Sequence, residues 1–564
     1  MRRILTTVVL ASLLVFSFSA ALPGPKALAQ RRTSRPAKAT PASLATQRGA
    51  DTITAAQLKD YLSFIASDEM EGRDTPSRGL DITAKFLATN LSRWGFKGAG
   101  GDGTFFQKIT MRKESIDTAG TRVQLNDEPL AFGVDYLPSV VNGDVTAPMV
   151  FAGNGWFVKS KNIDPYKIVD PKGKIVIIFA PLNALPPGIT RADMAGKQGE
   201  DWINPLAYAM SKGAVGIVSV PDFQFLANWE RNRARLTERP TTTVEKFQLA
   251  TAAQLPRIIP APRLTNSLFQ GEKQTAAALV DLAASGKLPE SFALHPDKKL
   301  TITVKVKSES TLTQNVVAVF EGSDPILKNE YVALGAHYDH VGVGPAVNGD
   351  AIYNGADDDG SGTSALLAIA EALAKAKARP KRSVLFVWHA AEEKGLLGSR
   401  YFTAYPTLPL ENIVTQINID MIGRAKKEGD TNPLNKNLSG ANEIYVIGSK
   451  MMSTELGELT ETVNKQYLNL TYDYRYDDPA DPNRFFFRSD HINYARKGIP
   501  IVFFFDGVHE DYHGRGDSAD KIDYQKMENV TRTVYMMLWE LASRPARPKV
   551  RKLSIIKGPI VRLS

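Results

Sequence analysis

The sequence predicts an α/β fold, a three-layer sandwich around a mostly parallel, mixed central sheet, with a small β-rich domain inserted into it. Continuous apolar runs, typical of strands buried on both faces, alternate with longer segments of helical apolar spacing. Four such runs each lead into residues that bind metals, and reactive groups of α/β proteins gather at the carboxyl ends of strands. The four runs cover residues 331–336, 382–389, 413–419 and 499–505.

The length of 564 residues exceeds what one hydrophobic core holds, so several domains are expected. Residues 51–141 are predicted to form the N-terminal part of the main domain, with helices at 52–67 and 79–94. Residues 142–300 are predicted to be the insert. Residues 301–543 complete the main domain, which should end in a helix at 524–541.

Basic residues are concentrated at the two ends of the chain. The net charge is +9, but residues 1–48 hold eight Lys or Arg and residues 544–564 hold seven, with no acid in either segment. Subtracting 15 from +9 leaves −6 on the body, so nucleic-acid binding is not expected. The basic tail at 544–564 has no evident purpose.

Residues 1–29 have the layout of a cleaved export signal: two arginines, an apolar stretch and Ala27-Leu28-Ala29. A flexible linker is predicted at 30–50, and the mature protein is expected in the periplasm or outside the cell. No further apolar stretch approaches about 20 residues, so no membrane span is expected after cleavage. The chain has no cysteine, so any metal must be bound by His and carboxylates.

The predicted insert contains short strand-like runs whose ends carry no metal-binding residues. Its segments KGKIVIIF and MSKGAVGIVSV resemble the protease-associated domain, a small β-rich module of exported peptidases. This resemblance implies a lid or substrate-gating role, with a purely structural insert as the alternative.

The stretch 331–362 is the part around which the chain is organised. His337 and Asp339 stand where a strand-like run ends, and three aspartates, Asp357, Asp358 and Asp359, precede an amphipathic helix predicted at 361–378. An acidic turn of this kind also serves as a helix cap, but three further ligand clusters follow along the chain. The repetition favours a metal site.

Two neighbouring divalent ions need a bridging carboxylate with further N and O ligands around each ion. Asp357 is expected to bridge, while Asp358 shapes the turn. The remaining predicted ligands are His337 and Asp420 for one ion, and Glu393 and His513 for the other. Imidazole and carboxylate without sulfur suit Zn²⁺, while Mn²⁺ and Co²⁺ are not excluded.

Three residues are predicted to act beside the ions. Glu392 stays free as the general base. Asp339 accepts the second ring N–H of His337, and Tyr512 donates to the developing oxyanion, with a packing tyrosine as the alternative. The other histidines are not expected to bind metal: His340 and His491 lie close to the cluster, His389 is a core residue, and His509 has no assigned role.

Six motifs resemble the dizinc aminopeptidase family, which includes bacterial leucyl-type aminopeptidases and, more remotely, glutamate carboxypeptidase II and the transferrin receptor. They are GAHYDHVG, NGADDDGSGTSALL, AAEEKGLLGS, NIDMIGR, RSDH and DYHGRGD, in that order. The resemblance implies the zinc-exopeptidase type of sandwich, the same five ligands, Glu392 as base and a cis peptide after Asp357. It also implies an exopeptidase in which a bridging hydroxide attacks the first peptide bond.

Peptides with a free N-terminus are therefore the expected substrates, and three other functions stay open. A dizinc carboxypeptidase would need a cationic clamp, for which Arg475, Arg484 and Arg488 are candidates. A glutaminyl-cyclase-like transferase would bind one zinc. A noncatalytic relative would bind without turnover. Side-chain preference and oligomeric state are not predicted.

Overall fold

The protein is described by a computed structural model that covers residues 48–551, apart from 180–184, 186–187, 195, 249–254, 286 and 288. The predicted signal at 1–29, nearly all of the linker and residues 552–564 of the basic tail lie outside the described residues.

The strands, in chain order, are β1 (Lys97–Gly98), β2 (Phe106–Ile116), β3 (Arg122–Leu125), β4 (Glu128–Pro129), β5 (Tyr136–Pro138), β6 (Gly143–Phe151), β7 (Phe157–Val158), β8 (Ile175–Phe179), β9 (Trp202–Ile203), β10 (Gly216–Val220), β11 (Thr241–Val244), β12 (Arg257–Pro260), β13 (Phe292–Ala293), β14 (Lys299–Val304), β15 (Val306–Phe320), β16 (Tyr331–His337), β17 (Gly342–Val347), β18 (Asp350–Tyr353), β19 (Ser383–His389), β20 (Ile413–Ile419), β21 (Glu443–Ile447), β22 (Thr471–Asp473) and β23 (Ile501–Phe505).

The α-helices are α1 (Ala55–Ile65), α2 (Arg78–Arg93), α3 (Pro205–Ser211), α4 (Phe223–Ala227), α5 (Trp229–Thr237), α6 (Glu245–Gln248), α7 (Pro262–Phe269), α8 (Ala276–Ala284), α9 (Gly362–Lys375), α10 (Leu397–Ala404), α11 (Ser449–Met452), α12 (Thr454–Gln466), α13 (His491–Ala495) and α14 (Tyr524–Ser543).

The central sheet is mixed, as predicted, and runs in the order β11-β2-β15-β19-β16-β20-β23-β21-β22, with β1 beside β15. Its middle strands β19, β16, β20 and β23 are parallel to one another. Antiparallel pairs flank this middle on both sides, through β15 and β21. The carboxyl ends of four neighbouring strands therefore meet at one edge of the sheet.

Helices cover both faces of the central sheet, which gives three layers. Alternate residues of each strand enter different cores: Leu334 and Phe386 pack with α1, α2, α9 and α14, whereas Ala333 and Leu385 pack with residues of α10 and α13. The middle strands are buried along nearly their whole length, which explains their continuous apolar sequences.

A second, nine-stranded sheet is built from the order β4-β3-β14-β6-β8-β10-β12-β5, with β13 beside β6. It is joined to the central sheet by the long antiparallel pair β2/β15, in which Ile116 faces Val306 and Phe106 faces Val316. The chain thus leaves the central sheet after β2, adds β11 to its edge beside β2, and returns to it again at β15. The second sheet begins at Arg122, ahead of the boundary at residue 142 that the sequence suggested. Assignment of this part to the protease-associated domain stays a prediction.

Most helices and strands fall where the apolar periodicity places them, including α1, α2, α9 and α14. Residues 300–320 alternate between polar and apolar side chains, which predicts one strand, but the structure divides them into β14 and β15 at Lys305. Lys305 bonds through its backbone to Asp117 and Thr121 rather than continuing the ladder. The two halves consequently belong to different sheets. Among the residues described, the helices are all too short or too polar to cross a membrane.

Candidate metal centre

Side chains of the types that bind metals converge at the carboxyl edge of the central sheet. His337 is the last residue of β16, and Asp420 follows β20 directly. Glu392 and Glu393 lie three and four residues beyond the end of β19, and His513 lies in the loop after β23. Several of these loops turn sharply through left-handed residues, Ala391 before Glu392, Met421 after Asp420, and His513 itself. These turns aim the ligand side chains across the sheet edge.

The first ligand group consists of His337, Asp358 and Asp420, all buried. The Nε2 atom of His337 lies 3.2 Å from Asp358 Oδ1 and 3.6 Å from Asp420 Oδ1. The Nδ1 atom of the same ring is 3.0 Å from the Asp339 carbonyl oxygen. A carbonyl oxygen only accepts, so Nδ1 carries a hydrogen, and Nε2 is the ring nitrogen that faces the two carboxylates.

The second ligand group surrounds the other oxygen of the same aspartate. His513 Nε2 is 3.0 Å from Asp358 Oδ2 and 3.1 Å from Glu393 Oε2. Asp358 therefore offers one carboxylate oxygen to each group, the arrangement that a bridging ligand between two cations needs. His340 also belongs here, because its Nδ1 atom approaches the same two carboxylates.

The prediction that Asp357 joins the two groups is wrong: the carboxylate that both groups share is that of Asp358. Asp357 Oδ1 accepts the backbone N–H of Gly423 at 2.7 Å, and its Oδ2 lies 3.3 Å from His509 Nε2. The Asp357 backbone N–H is bonded to Asp517 at 3.0 Å. The cis peptide is likewise one position further on, between Asp358 and Asp359.

The conformation of the turn that carries the three aspartates explains why Asp358, and not Asp357, faces both ligand groups. Residues Ala356–Ser361 form a tight π-type turn that is non-helical at Asp358 and Asp359, so successive side chains leave it in different directions. Asp359 serves neither ligand group. Its carboxylate accepts the backbone N–H groups of His337, Gly362 and Met421 and so connects the ends of two strands to the helix.

Asp339 supports the site in a different way from the one predicted. Its carboxylate Oδ1 is 3.8 Å from His337 Nδ1, whereas it accepts the backbone N–H of Glu392 at 3.0 Å and of Glu393 at 3.4 Å. Burial raises the pKa of Asp339 to about 7, although the His337 ring opposes this shift. Asp339 therefore positions the loop that carries both glutamates.

The surroundings of the centre shift the pKa values of its carboxylates in opposite directions. Burial by itself would raise the pKa of Asp358, but contacts with the His337 and His513 imidazoles hold it well below its usual range. Burial raises the pKa of Glu392 well above its usual range, with Glu393 and Asp420 adding to the effect and His337 opposing it. A carboxyl able to hold a proton next to an ionised ligand is the pattern of an acid–base pair.

Glu392 and Tyr512 both line one cavity beside the first ligand group. Tyr512 stacks on His513 with ring centroids 4.0 Å apart, which places its ring over the second group. The remaining wall is apolar and carries one guanidinium; the lining residues other than the ligands and Glu392 are Met421, Phe485, Arg488, Phe503, Phe505, Val508 and Tyr512. The cavity thus joins an acidic, metal-binding floor to an aromatic wall.

The three arginines considered as a clamp for a substrate carboxylate lie in different places. Arg488 lines the cavity, with its guanidinium 5.1 Å from the centroid of the Phe485 ring. Arg475 is paired with Asp473 at 2.5 Å, and Arg484 lies over the Phe487 ring. Of the three, Arg488 is the one that lines the cavity.

Two buried residues, Arg73 and Asp490, support the site, and the sequence did not predict this role for either of them. Arg73, fully buried, donates to the carbonyl oxygens of Tyr338, Ile65, Asn354 and Gly355 at 2.7–2.9 Å and so ties the strand end to the acidic turn. Asp490 lies 3.3 Å from His389 Nδ1 beneath the sheet edge. In the sequence, Arg73 stands only in a Glu-Gly-Arg turn and Asp490 only within RSDH. Neither pattern is specific enough to predict a supporting role.

Two further histidines near the sheet edge, His389 and His491, belong to neither ligand group. His389 is a core residue as expected, and its Nε2 is 3.0 Å from the Tyr494 hydroxyl. His491 takes no part in either ligand group; it is bonded to the Phe486 carbonyl at 2.8 Å and stacks on Phe503.

A mixed α/β sheet whose strand ends present two ligand groups sharing one aspartate defines a candidate metalloprotein of the α/β class. Residues 315–538, which include all of these candidate ligands, match the model of Peptidase family M28. A solved structure, the aminopeptidase from Aneurinibacillus sp. strain AM-1, has the same fold, with a TM-score of 0.51 and 17% identity over 90% of this chain and 98% of that one.

Two curated relatives match part of the chain. Leucine aminopeptidase 2 of Arthroderma otae is 28% identical over 319 residues, 52% of this chain and 55% of that protein. Aminopeptidase Y of Saccharomyces cerevisiae is 31% identical over 273 residues, 48% of this chain and 44% of that protein. The chain spans about half the length of these relatives.

Proposed function

We propose that the protein is a zinc-dependent aminopeptidase that removes the first residue of peptides. The observation that carries this proposal is the carboxylate of Asp358, shared between two ligand groups in the cavity that also contains Glu392. The relatives named above, two aminopeptidases, support the same reaction.

The donor atoms fit two zinc ions. Each group offers imidazole nitrogen and carboxylate oxygen without sulfur, a set that Zn²⁺ accepts. Asp358 Oδ2 and Glu393 Oε1 are buried acceptors with no hydrogen-bond partner. Buried polar atoms rarely stay unpaired, so a cation between them accounts for their placement. His337 and Asp420 would hold one ion, Glu393 and His513 the other, and Asp358 both.

When bound, the two ions would polarise the scissile carbonyl and lower the pKa of a water molecule. Glu392 then takes the proton of the attacking water and returns it to the leaving amine, which its raised pKa permits. Tyr512, on the cavity wall beside His513, is placed to donate to the oxyanion. Asp339 keeps Glu392 in position through its backbone N–H.

The cavity also favours a free N-terminal ammonium. Asp358 and Asp420 would be neutralised by the ions, but Glu392 lines the cavity and belongs to neither ligand group, so its carboxylate is available to an ammonium group. The wall formed by Phe485, Phe503 and Phe505 suits an apolar first side chain. We further propose export of the protein, on the basis of the signal-like sequence at 1–29.

A carboxypeptidase is the second candidate, because Arg488 lines the cavity and a guanidinium binds a terminal carboxylate well. The test is hydrolysis of leucyl and phenylalanyl amides with a free or an acetylated amino group, beside N-blocked dipeptides with a free carboxylate. The aminopeptidase predicts turnover of the free amides, abolished by a chelator. Turnover confined to blocked dipeptides would instead establish the carboxypeptidase.

A further inference from the structure

His340 is a fully buried imidazole beside the second ligand group, three residues beyond His337. Its Nδ1 atom lies 3.0 Å from Glu393 Oε1 and 3.8 Å from Asp358 Oδ2. These are the carboxylates that His513 also contacts, and the two rings face each other edge to face with centroids 5.7 Å apart. Two imidazoles thus flank the same pair of acids.

Hydrogen bonding does not explain this arrangement. Both ring nitrogens of His340 are buried without a hydrogen-bond partner, and so are Glu393 Oε1 and Asp358 Oδ2. The 3.0 Å contact with Glu393 is short, yet the two atoms do not form a hydrogen bond. Three buried atoms that can each bind a metal, His340 Nδ1, Glu393 Oε1 and Asp358 Oδ2, thus lie close together without hydrogen bonds. This is the arrangement expected of ligands of one cation.

The His340 ring is also held firmly in place. Its backbone N–H is bonded to the Arg73 carbonyl at 3.1 Å. On its other side the ring packs against Gly355, where an added Cβ would lie 2.4 Å from His340 Cγ. Gly355 has a φ of +59°, so a side chain is disfavoured there on two grounds. The imidazole therefore has little freedom to turn away from the carboxylates.

We propose that His340 is a further metal ligand, which binds the second ion through Nδ1 together with Asp358, Glu393 and His513. This inference rests on the proposed two-ion site. It makes the two positions unequal: the second has four protein donors, whereas the first has His337, Asp358 and Asp420. Four protein donors are typical of closed zinc sites, and three leave a position for water or substrate.

The functional consequence is a division of labour between the positions. The second ion holds Asp358 and Glu393 in place, and the first position, which lies in the cavity with Glu392, receives the substrate. The second ion should accordingly bind more tightly and exchange more slowly than the first.

The test compares zinc affinity in the full chain and its His340→Gln variant, by competition with a chromophoric chelator. Glutamine has a similar size but a poorer donor atom. We expect two ions in the parent and a tenfold to hundredfold weaker affinity for one of them in the variant. His491→Gln is the matched control, since His491 is equally buried but contacts neither ligand group, and it should keep both affinities.

Two ions of unchanged affinity in His340→Gln would overturn the inference. A parent protein that binds fewer than two ions would instead contradict the proposed function, so the two failures are distinguishable. If the variant does not fold, X-ray absorption of the zinc-loaded parent decides. Three imidazoles on two ions give an average of one and a half per zinc, whereas an average of one would exclude His340.

Discussion

At the scale of single residues, the centre depends on which of three consecutive aspartates faces the ligand histidines. Asp357 faces His509 and the Gly423 backbone, Asp358 faces His337 and His513, and Asp359 binds backbone N–H groups. Three side chains of one chemical type thus perform three separate tasks. The backbone of the turn alone distinguishes them.

Replacing Asp358 by Asn should therefore remove both ions. One amide oxygen cannot serve two cations, and the amide lacks the charge that balances them, so zinc affinity should fall by more than about a hundredfold. Asp357→Asn is the matched control, because an amide oxygen still accepts from Gly423. Zinc content after gel filtration measures both, and equal loss in the two variants would contradict the assignment of the bridge.

Glu392→Gln tests the proton-transfer step separately from metal binding. The amide keeps the shape of the side chain but cannot take a proton, so kcat should fall by about 10² to 10⁴. Zinc content should stay at the parent value, since Glu392 belongs to neither ligand group. Hydrolysis of leucyl amide at saturating zinc measures the effect. Parent-like activity would exclude Glu392 as the base.

His491 gives a pH dependence of stability whose sign follows from its burial. Burial lowers its pKa from 6.5 to about 4. Below pH 6.5, His491 binds a proton in the unfolded chain but stays neutral in the folded protein. The free energy of unfolding therefore decreases as the pH falls from 6.5 towards 4. The loss amounts to about 3 kcal/mol by pH 4.

Urea unfolding in the presence of EDTA, at pH 4.5 and pH 7, measures this difference in the parent and in His491→Asn. The variant should lose less stability than the parent over that range. His295→Asn, at a side chain that is 65% exposed, is the control and should follow the parent. If His491→Asn lost as much stability as the parent between pH 7 and pH 4.5, the buried imidazole would not be the source of the pH dependence.

At the scale of elements, the strand ends could be predicted and the loops that join them could not. Continuous apolar runs identified β16, β19, β20 and β23, and the ligands at their ends followed from the same reading. Periodicity carries no information on how a non-helical turn orients Asp357 and Asp358. It placed His340 close to the cluster but did not predict its contact with Glu393, because that contact joins the loops after β16 and β19.

The buried guanidinium of Arg73 connects the loops around the metal centre through hydrogen bonds to their backbone. It donates to four carbonyl groups, including those of Tyr338 and Gly355 on the two loops that carry His340 and Asp358. Burial lowers its pKa to about 10, while Asp517 and Asp339 favour its charge. Removing a buried, fully bonded charge typically costs about 3–5 kcal/mol.

Arg73→Met should therefore lower the thermal unfolding midpoint by roughly 5–10 °C and weaken zinc binding. Arg122→Met, on an exposed position of β3, is the control and should change the midpoint by no more than about 2 °C. Differential scanning fluorimetry measures both. Equal midpoints for the two variants would show that Arg73 does not organise the loops.

At the scale of the whole molecule, the second sheet is joined to the central sheet at the far ends of β2 and β15. The chain can leave and return there without disturbing the parallel middle strands that carry the ligands. The sequence indicated an insert from its change of texture. It placed the start at 142 because β3 and β5, which belong to the second sheet, have no distinctive periodicity.

The proposed function requires that one carboxylate, that of Asp358, joins two cations in a single site. The most direct measurement is to strip the purified protein with a chelator and add zinc back stepwise, recording bound zinc and leucyl-amide hydrolysis at each step. We expect saturation at two zinc ions per chain, with full activity only when both are bound. Saturation at one ion or none, or full activity in the stripped protein, would contradict it.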